Sequence, residues 1–454
     1  MAEQVRVVVL GGGMAGLCAA MAATGEGAEV LLLEEAPQLG GSMAISGGLV
    51  WGPKDLATAR SYIPKGRADL QRKLCDELPA AWEWLEQLGL PLGDESPCLK
   101  DDMGRGRTMG LGVAGSRGDF AAAMEKVVRE RGGAIRTGAT LVDLRPRGEG
   151  WLLEVVHDGR QELIECAALV SATGGFQNSR DMLLRYVTPE AERLVVRSNR
   201  QSAGGGIRLL HGQGAGLSNG MSSFYGHSLP YTPGREIASK DFIPASQYYS
   251  DYTVVLNRLG LRFTDESIGV LDEHNAQQGS RQPDARYFLV FDEAIRDRHV
   301  TSSVGLPGVL GSRVPDRLDL VRSLGGLVIE APSLRALADA LGSHGVPPEN
   351  VRDSINHYNE STDPVRGLFP PRVCHHEPLH EAPFYAVECV SAITYTMGGL
   401  LVDDECRVLD ADGRRIGAAF AAGADAGGVF VDVYGGGLGW AAVSGRAAGL
   451  GAAS

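Results

Sequence analysis

The sequence predicts an α/β chain in which a Rossmann-like domain is interrupted by a smaller α+β segment. Three observations predict it. Val5 to Gly16 reads as strand, glycine turn and helix in direct succession. Further apolar strands follow at Glu29–Leu33 and Ala167–Ser171. From about Phe224 the composition shifts to clustered aromatic and polar residues, and the strand-and-glycine pattern resumes near residue 376. At 454 residues the chain is long enough for two domains. The expected boundaries are 1–225 and 376–454 for the interrupted domain and 226–375 for the insertion.

The opening run, VRVVVLGGGMAG, begins with β-branched residues suited to a buried parallel strand. Gly11, Gly13 and Gly16 form G-x-G-x-x-G, with Met14 and Ala15 as further cofactor-side candidates between the last two, and an Ala-rich helix follows directly from Leu17. Gly11 permits the tight turn, Gly13 lets a pyrophosphate reach the backbone, and Gly16 lets helix and strand pack closely. The helix N-terminus adds free N–H groups and partial positive charge. The second strand ends in Glu34, about 20 residues on, where an acid accepts both hydroxyls of a ribose, and Glu35 beside it is a further cofactor-side candidate. This order predicts dinucleotide binding.

Next, Gly40–Gly41 and Gly47–Gly48 bracket Ser42 and Met43 in a loop over which a long ligand is expected to run. Residues 66–90 carry Leu70, Leu74, Leu78, Trp82, Leu85 and Leu88 at helical spacing. Residues 100–118 are rich in Gly and Arg without a period. Asp119 to Arg131 reads as helix. Thr140–Leu144 and Trp151–His157 read as strands joined by a turn at Gly148–Gly150, and Leu141 is a candidate cofactor neighbour. The strand Ala167–Ser171 runs into Ala172, Thr173, Gly174 and Gly175, a second backbone approach to the ligand. The glycines of Ser202–Leu210 follow no clear parallel strand, so one dinucleotide is expected and the redox partner arrives separately. The C-terminal Gly/Ala-rich run reads as a helix suited to close packing against a cofactor.

A net charge of −13 without a basic stripe argues against a nucleic-acid partner. No apolar run reaches the roughly 18 residues of a membrane span. The first strand follows MAEQ at once, leaving no room for a signal peptide, and the seven scattered cysteines form no C-x-x-C. The expectation is a cytoplasmic protein. Cys374-His375-His376 has no second ligand group at zinc-site spacing, so no metal is expected.

With GGGMAG, the acid at the second strand, GGSMAISGG, ATGGF, NRLGLRFTDE, TYTMGGLLVD and AAGADAGG in hand, the chain resembles the superfamily of FAD-dependent fumarate reductases, 3-ketosteroid dehydrogenases and tricarballylate dehydrogenase. The resemblance covers nearly the whole chain. It implies a glutathione-reductase-type FAD-binding domain, a capping domain over the substrate, and non-covalent FAD. By that similarity Asp425 meets the ribityl chain and Gly437, Leu438 and Gly439 lie by the pyrimidine ring.

The departures bear on the substrate. The position of the reductases' proton-delivering Arg is Val270 here. Their relay Glu and Arg fall on Ser246 and Tyr249. Their clamping His falls on Thr394 or Tyr395, and a clamping Arg is replaced near Tyr434. Only His227 matches a substrate-binding His. Two substrate carboxylates need neutralising cations, so this loss of charge points away from fumarate. VYGGGLG resembles the segment in which ketosteroid dehydrogenases hold a carbonyl with a Tyr and a backbone N–H. The resulting expectation is desaturation of a CH–CH bond beside a carbonyl in a small ketone or ring substrate. Tyr434 is the leading catalytic candidate, with Tyr395 and His227 beside it. Ene-reduction or a tricarballylate-type reaction on the same scaffold is the alternative, followed by a flavin oxidase or a redox-neutral isomerase. The sequence does not identify the electron partner.

Overall fold

The computed structural model describes residues 2–98, 103–109, 117–301 and 316–454. Of the Gly- and Arg-rich stretch 100–118, residues 100–102 and 110–116 lie outside these. The chain forms two compact units: Met1–Tyr186 with Ser198–Phe224 and Tyr395–Ser454, and Val187–Arg197 with Tyr225–Thr394.

The first unit is built on an eight-stranded sheet. Its parallel spine sets Glu3–Leu10 between Val30–Glu34 and Arg160–Ser171, with Arg415–Ala421 beyond the latter. Val7, Val8 and Val9 are fully buried, which is why this strand reads as an unbroken apolar run rather than an alternating one. Ala134–Thr137 extends the sheet in parallel past Val30–Glu34. Ala139–Arg147 and Gly150–His157 form the predicted hairpin and continue antiparallel onto Arg160–Ser171.

The helix Met14–Gly25 follows the glycine turn, and Met14 through Thr24 are all buried. Its cover is the C-terminal helix Gly437–Ala453. A Cβ on Gly445 would stand 2.4 Å from the Ala15 carbonyl oxygen, and one on Gly449 2.2 Å from that of Ala19. The Gly/Ala-rich run, expected against a cofactor, therefore packs along its length on this helix. The Ser202–Leu210 glycines have a similar explanation. Gly204 N–H donates to the Gly175 carbonyl at 2.9 Å, and a Cβ on Gly206 would lie 2.1 Å from Ser171 Oγ. They let the helix Gly205–Gly212 sit on the 171–175 loop.

The second unit is organised around Phe384–Thr396, a 13-residue strand. Arg286–Asp292 and Val328–Ala331 pair with it antiparallel, and the two-residue strand Val195–Val196 pairs with it in parallel. Phe224–Pro230 also pairs with it, and Val254–Asn257 lies outside Arg286–Asp292. The core joins these strands to the helices Leu334–Gly342 and Pro348–Glu360 through Leu337, Leu341, Val351, Ile355 and Tyr358. The second unit thus takes in 187–197 and runs to Thr394, past the expected boundary at 375. The reason is that one unbroken strand carries the chain out of it. Among the described residues no helix is long and apolar enough to cross a membrane.

Candidate active site

In the first unit three glycine loops distant in sequence lie side by side. Gly11 has φ +99°, and a Cβ there would stand 2.3 Å from the Ala172 carbonyl oxygen. Gly16 would place a Cβ 1.8 Å from the Gly11 oxygen. Gly40 N–H donates to the Gly12 carbonyl at 2.9 Å, and Gly41 is packed against the Gly13 backbone. A Cβ on Gly13, by contrast, would meet only the Gly40 oxygen, at 4.0 Å. Gly11 and Gly16 are thus needed for chain packing, and the open face is at Gly13. Leu17 N–H makes the first intrahelical bond, to Gly13. The amides of Met14, Ala15 and Gly16 are therefore the orphan donors of the first turn. Ser42 Oγ meets Ser198 Oγ at 3.3 Å, and Met43 is buried beneath this loop. Ser46 Oγ accepts from Gly48 N–H at 3.0 Å and fixes the Gly47–Gly48 turn.

Glu34 ends its strand 6% exposed. Its carboxylate accepts from Gly12 N–H at 2.6 Å and Ala36 N–H at 2.7 Å. Burial raises its pKa against those two bonds. Glu35 is exposed, and Leu141 is half-buried on Ala139–Arg147.

Asp425, expected at a ribityl chain, is fully buried and engaged within the protein. It accepts from Ser171 Oγ at 2.6 Å, Thr173 N at 2.7 Å, Thr173 Oγ1 at 2.8 Å, Gly174 N at 3.1 Å and Gly175 N at 2.9 Å. A carboxylate has about four lone-pair sites, so this one is fully used. It clamps the Ala172–Gly175 turn, whose two glycines sit at φ +95° and +81°.

The C-terminal helix has its own first turn at Gly437, Leu438 and Gly439. Gly436 caps it at φ +102°, and the first intrahelical bond runs from Trp440 to Gly436. Tyr434 lies over this end. Its ring contacts Trp51, Tyr395 and Phe430 at centroid distances of 5.9, 5.6 and 5.6 Å. Burial, with smaller contributions from Tyr434 and Asp425, pushes the Tyr395 phenol well above the ordinary tyrosine range. The arrangement brings a half-buried phenol to the first-turn amide donors, which have no partner within the helix.

In the second unit His227 is fully buried. Its Nδ1 lies 2.6 Å from Asp272 Oδ1 and its Nε2 2.8 Å from the Tyr225 hydroxyl. Both ring nitrogens are thus occupied within the protein. The Tyr248 ring stands edge-on to His227 at 4.8 Å. Burial lowers the His227 pKa, with Asp272 opposing and Arg197 assisting.

Arg197 is the residue that sequence reasoning missed. It is 7% exposed, donates to Thr394 Oγ1 at 3.1 Å and reaches the Tyr248 hydroxyl at 3.4 Å. Its Nε is buried with no hydrogen-bond partner. The expected loss of positive charge is therefore incomplete, because a buried guanidinium stands beside His227. The one available signal was an Arg ending the apolar pair Val195–Val196. At and near the positions where the reductases' residues are replaced, the side chains are engaged within the protein. Ser246 Oγ donates to the Phe242 carbonyl and the Tyr249 hydroxyl to Gln247. Val270 is buried, and Glu266 accepts from Arg262 and Arg372. Among the described residues no three His, Cys, Asp or Glu side chains gather closely enough to share a metal.

The described geometry fits FAD. A backbone cradle open at Gly13, the ribose-side acid Glu34 and two helix N-termini supply what a dinucleotide requires. Comparison with known proteins agrees. The family described as FAD binding domain matches residues 6–437. An NADH:fumarate oxidoreductase of Klebsiella pneumoniae is 26% identical, over 93% of this chain and 44% of its own length. The chain thus spans less than half of that relative. A vinyl phenol reductase of Lactiplantibacillus plantarum is 28% identical, over 98% of this chain and 96% of its own length. Among solved structures, a 3-ketosteroid delta1-dehydrogenase from Sterolibacterium denitrificans matches all of both chains with a TM-score of 0.73 at 18% identity. That likeness is one of fold.

Proposed function

The chain belongs to the FAD binding domain family, and we propose that it is an FAD-dependent oxidoreductase acting on a CH–CH bond beside a carbonyl or a conjugated, oxygen-bearing ring. Bound FAD supplies the two-electron acceptor or donor. The chain's own residues hold the substrate oxygen and manage charge. The observation that carries this reading is Tyr434 above the first turn of Gly437–Ala453. A phenol and preorganised amides at one oxygen stabilise the negative charge that grows there as the neighbouring C–H bond breaks. Tyr395, held neutral by burial, packs against Tyr434 and fixes its ring. The vinyl phenol reductase, of nearly this chain's length, is named for a substrate whose alkene is conjugated to an oxygen-bearing ring. Reduction of such an alkene and desaturation beside a ketone place the same demand on the oxygen-binding donors.

The test is anaerobic flavin spectroscopy of the holoprotein. Bleaching by cyclohexanone-type ketones identifies desaturation, and reoxidation of dithionite-reduced protein by 4-vinylphenol or an enone identifies reduction. Tyr434→Phe is expected to lower either rate about 100-fold with FAD content unchanged. Activity with dicarboxylates alone would overturn the proposal.

A further inference from the structure

We propose that a cleft of about 620 Å³ in the first unit is a binding site for a small organic monocarboxylate. It lies where two strands end on one edge of a third. Gly150–His157 pairs with residues 160–166 of the strand Arg160–Ser171, and Arg415–Ala421 pairs with residues 169–171. Glu3–Leu10 takes the opposite edge. The cleft is lined by the facing ends of the first two strands, together with the turn at 148–150. Trp151 is level with Cys166 and so with Val5, whereas the glycine turn follows Leu10. None of the lining residues belongs to the glycine loops of the cradle or to the cluster around Tyr434. The site is therefore separate from the one proposed above.

Trp151 forms the inner wall. It is 2% exposed, and its Nε1 is buried with no hydrogen-bond partner. Buried donors are nearly always paired, and one left open weakens the fold. Gly417, at φ +51°, would place a Cβ 3.2 Å from Trp151 Cζ2 and 3.6 Å from Cε2, the carbon bonded to Nε1. The strand thus carries no side chain over the edge of the indole that holds the N–H. An oxygen acceptor entering beside Gly417 meets that donor.

Charge selects the rest of the ligand. Arg407 is neutralised by Asp403, at 2.7 Å, and by Glu405. Arg415 is exposed and has no ion pair among the described residues. A carboxylate has two oxygens, one for the indole N–H and one for the Arg415 guanidinium. Glu149, exposed on the turn, disfavours a second negative charge on the ligand. Pro146 and Ile416 give its body an apolar wall. The volume is that of an ordinary small-molecule site.

The test titrates isotope-labelled holoprotein with benzoate and, in parallel, with the neutral isostere benzamide. The indole N–H resonances are followed, and Trp151→Phe identifies the one that belongs to Trp151. Benzoate is expected to shift that resonance saturably, with benzamide at least tenfold weaker. Arg415→Gln, a change at an exposed side chain, should weaken benzoate about tenfold or more and leave the flavin spectrum unchanged. If Trp151→Phe does not fold, calorimetric titration of the parent and Arg415→Gln makes the same comparison. A Trp151 resonance that stays in place at about 10 mM benzoate overturns the site. Equal binding of benzamide overturns it too, as does benzoate binding indifferent to Arg415→Gln.

Discussion

The Tyr434 hydroxyl lies 2.8 Å from where Gly437 would carry a Cβ, so the first helical residue after the Gly436 cap must have no side chain for the phenol to sit above that turn. Gly437→Ala adds one methyl group at that point and nothing else. The expected result is a displaced phenol and an oxidoreductase rate at least tenfold lower, with the protein folded and flavin bound. Single-turnover flavin kinetics beside a thermal melt check this. A rate equal to the parent's would show that the phenol is not where the chemistry happens.

Asp425 gathers five donors from one loop. Replacing it with Ala leaves buried backbone N–H groups unpaired, at about 1–3 kcal/mol for each that finds no substitute. The expected loss is about 3 kcal/mol or more in unfolding free energy, with FAD released at concentrations where the parent retains it. Denaturant unfolding and flavin content after gel filtration measure both. Asp425→Asn should recover only part of the loss, because its amide NH2 group meets a ring of donors.

Arg197 gives the opposite pattern. A buried guanidinium with an unsatisfied Nε is a cost to folding. Arg197→Met should leave stability unchanged or raise it by about 1–2 kcal/mol. Affinity for a substrate bearing a carboxylate or phenolate should nonetheless fall. Equal losses of stability and of anion binding would instead make Arg197 a structural tie to Thr394 and Tyr248.

The state of His227 also sets a pH dependence. Its folded pKa lies below the ordinary histidine value of about 6.5, so the unfolded chain binds the proton more readily. Its contribution to stability is fully present above about pH 6.5 and is lost as pH falls from there through the folded value. Melting temperature is therefore expected to fall between about pH 7 and pH 5, and the slope should flatten in His227→Gln. A slope unchanged in that variant would place the titrating group elsewhere.

How much of this was legible in the sequence depends on how local the cause is. Val5–Gly16, Glu34, the Gly40–Gly41 loop and the Ala172–Gly175 turn carry their own signals, because glycine turns and parallel strands are written in adjacent residues. Their convergence follows from the parallel sheet, which brings the ends of Glu3–Leu10 and Arg160–Ser171 together. The hydrogen-bond partners were not legible. Asp272 stands 45 residues from His227, and Arg197 reaches Tyr248 across 51 and Thr394 across 197. No spacing rule relates such pairs, since folding of the second unit alone brings them together. Asp425 shows the intermediate case: its position was clear from AAGADAGG, but its carboxylate turned to the loop rather than outward.

The two helices that meet at Ala15, Ala19, Gly445 and Gly449 come from opposite ends of the numbering. During synthesis the glycine turn at Gly11–Gly16 leaves the ribosome well before the helix that covers its back. Until then Leu17, Cys18 and Met21, all fully buried in the finished protein, have no such cover. A chain interrupted between these two helices leaves an apolar helix for chaperones or proteases to find.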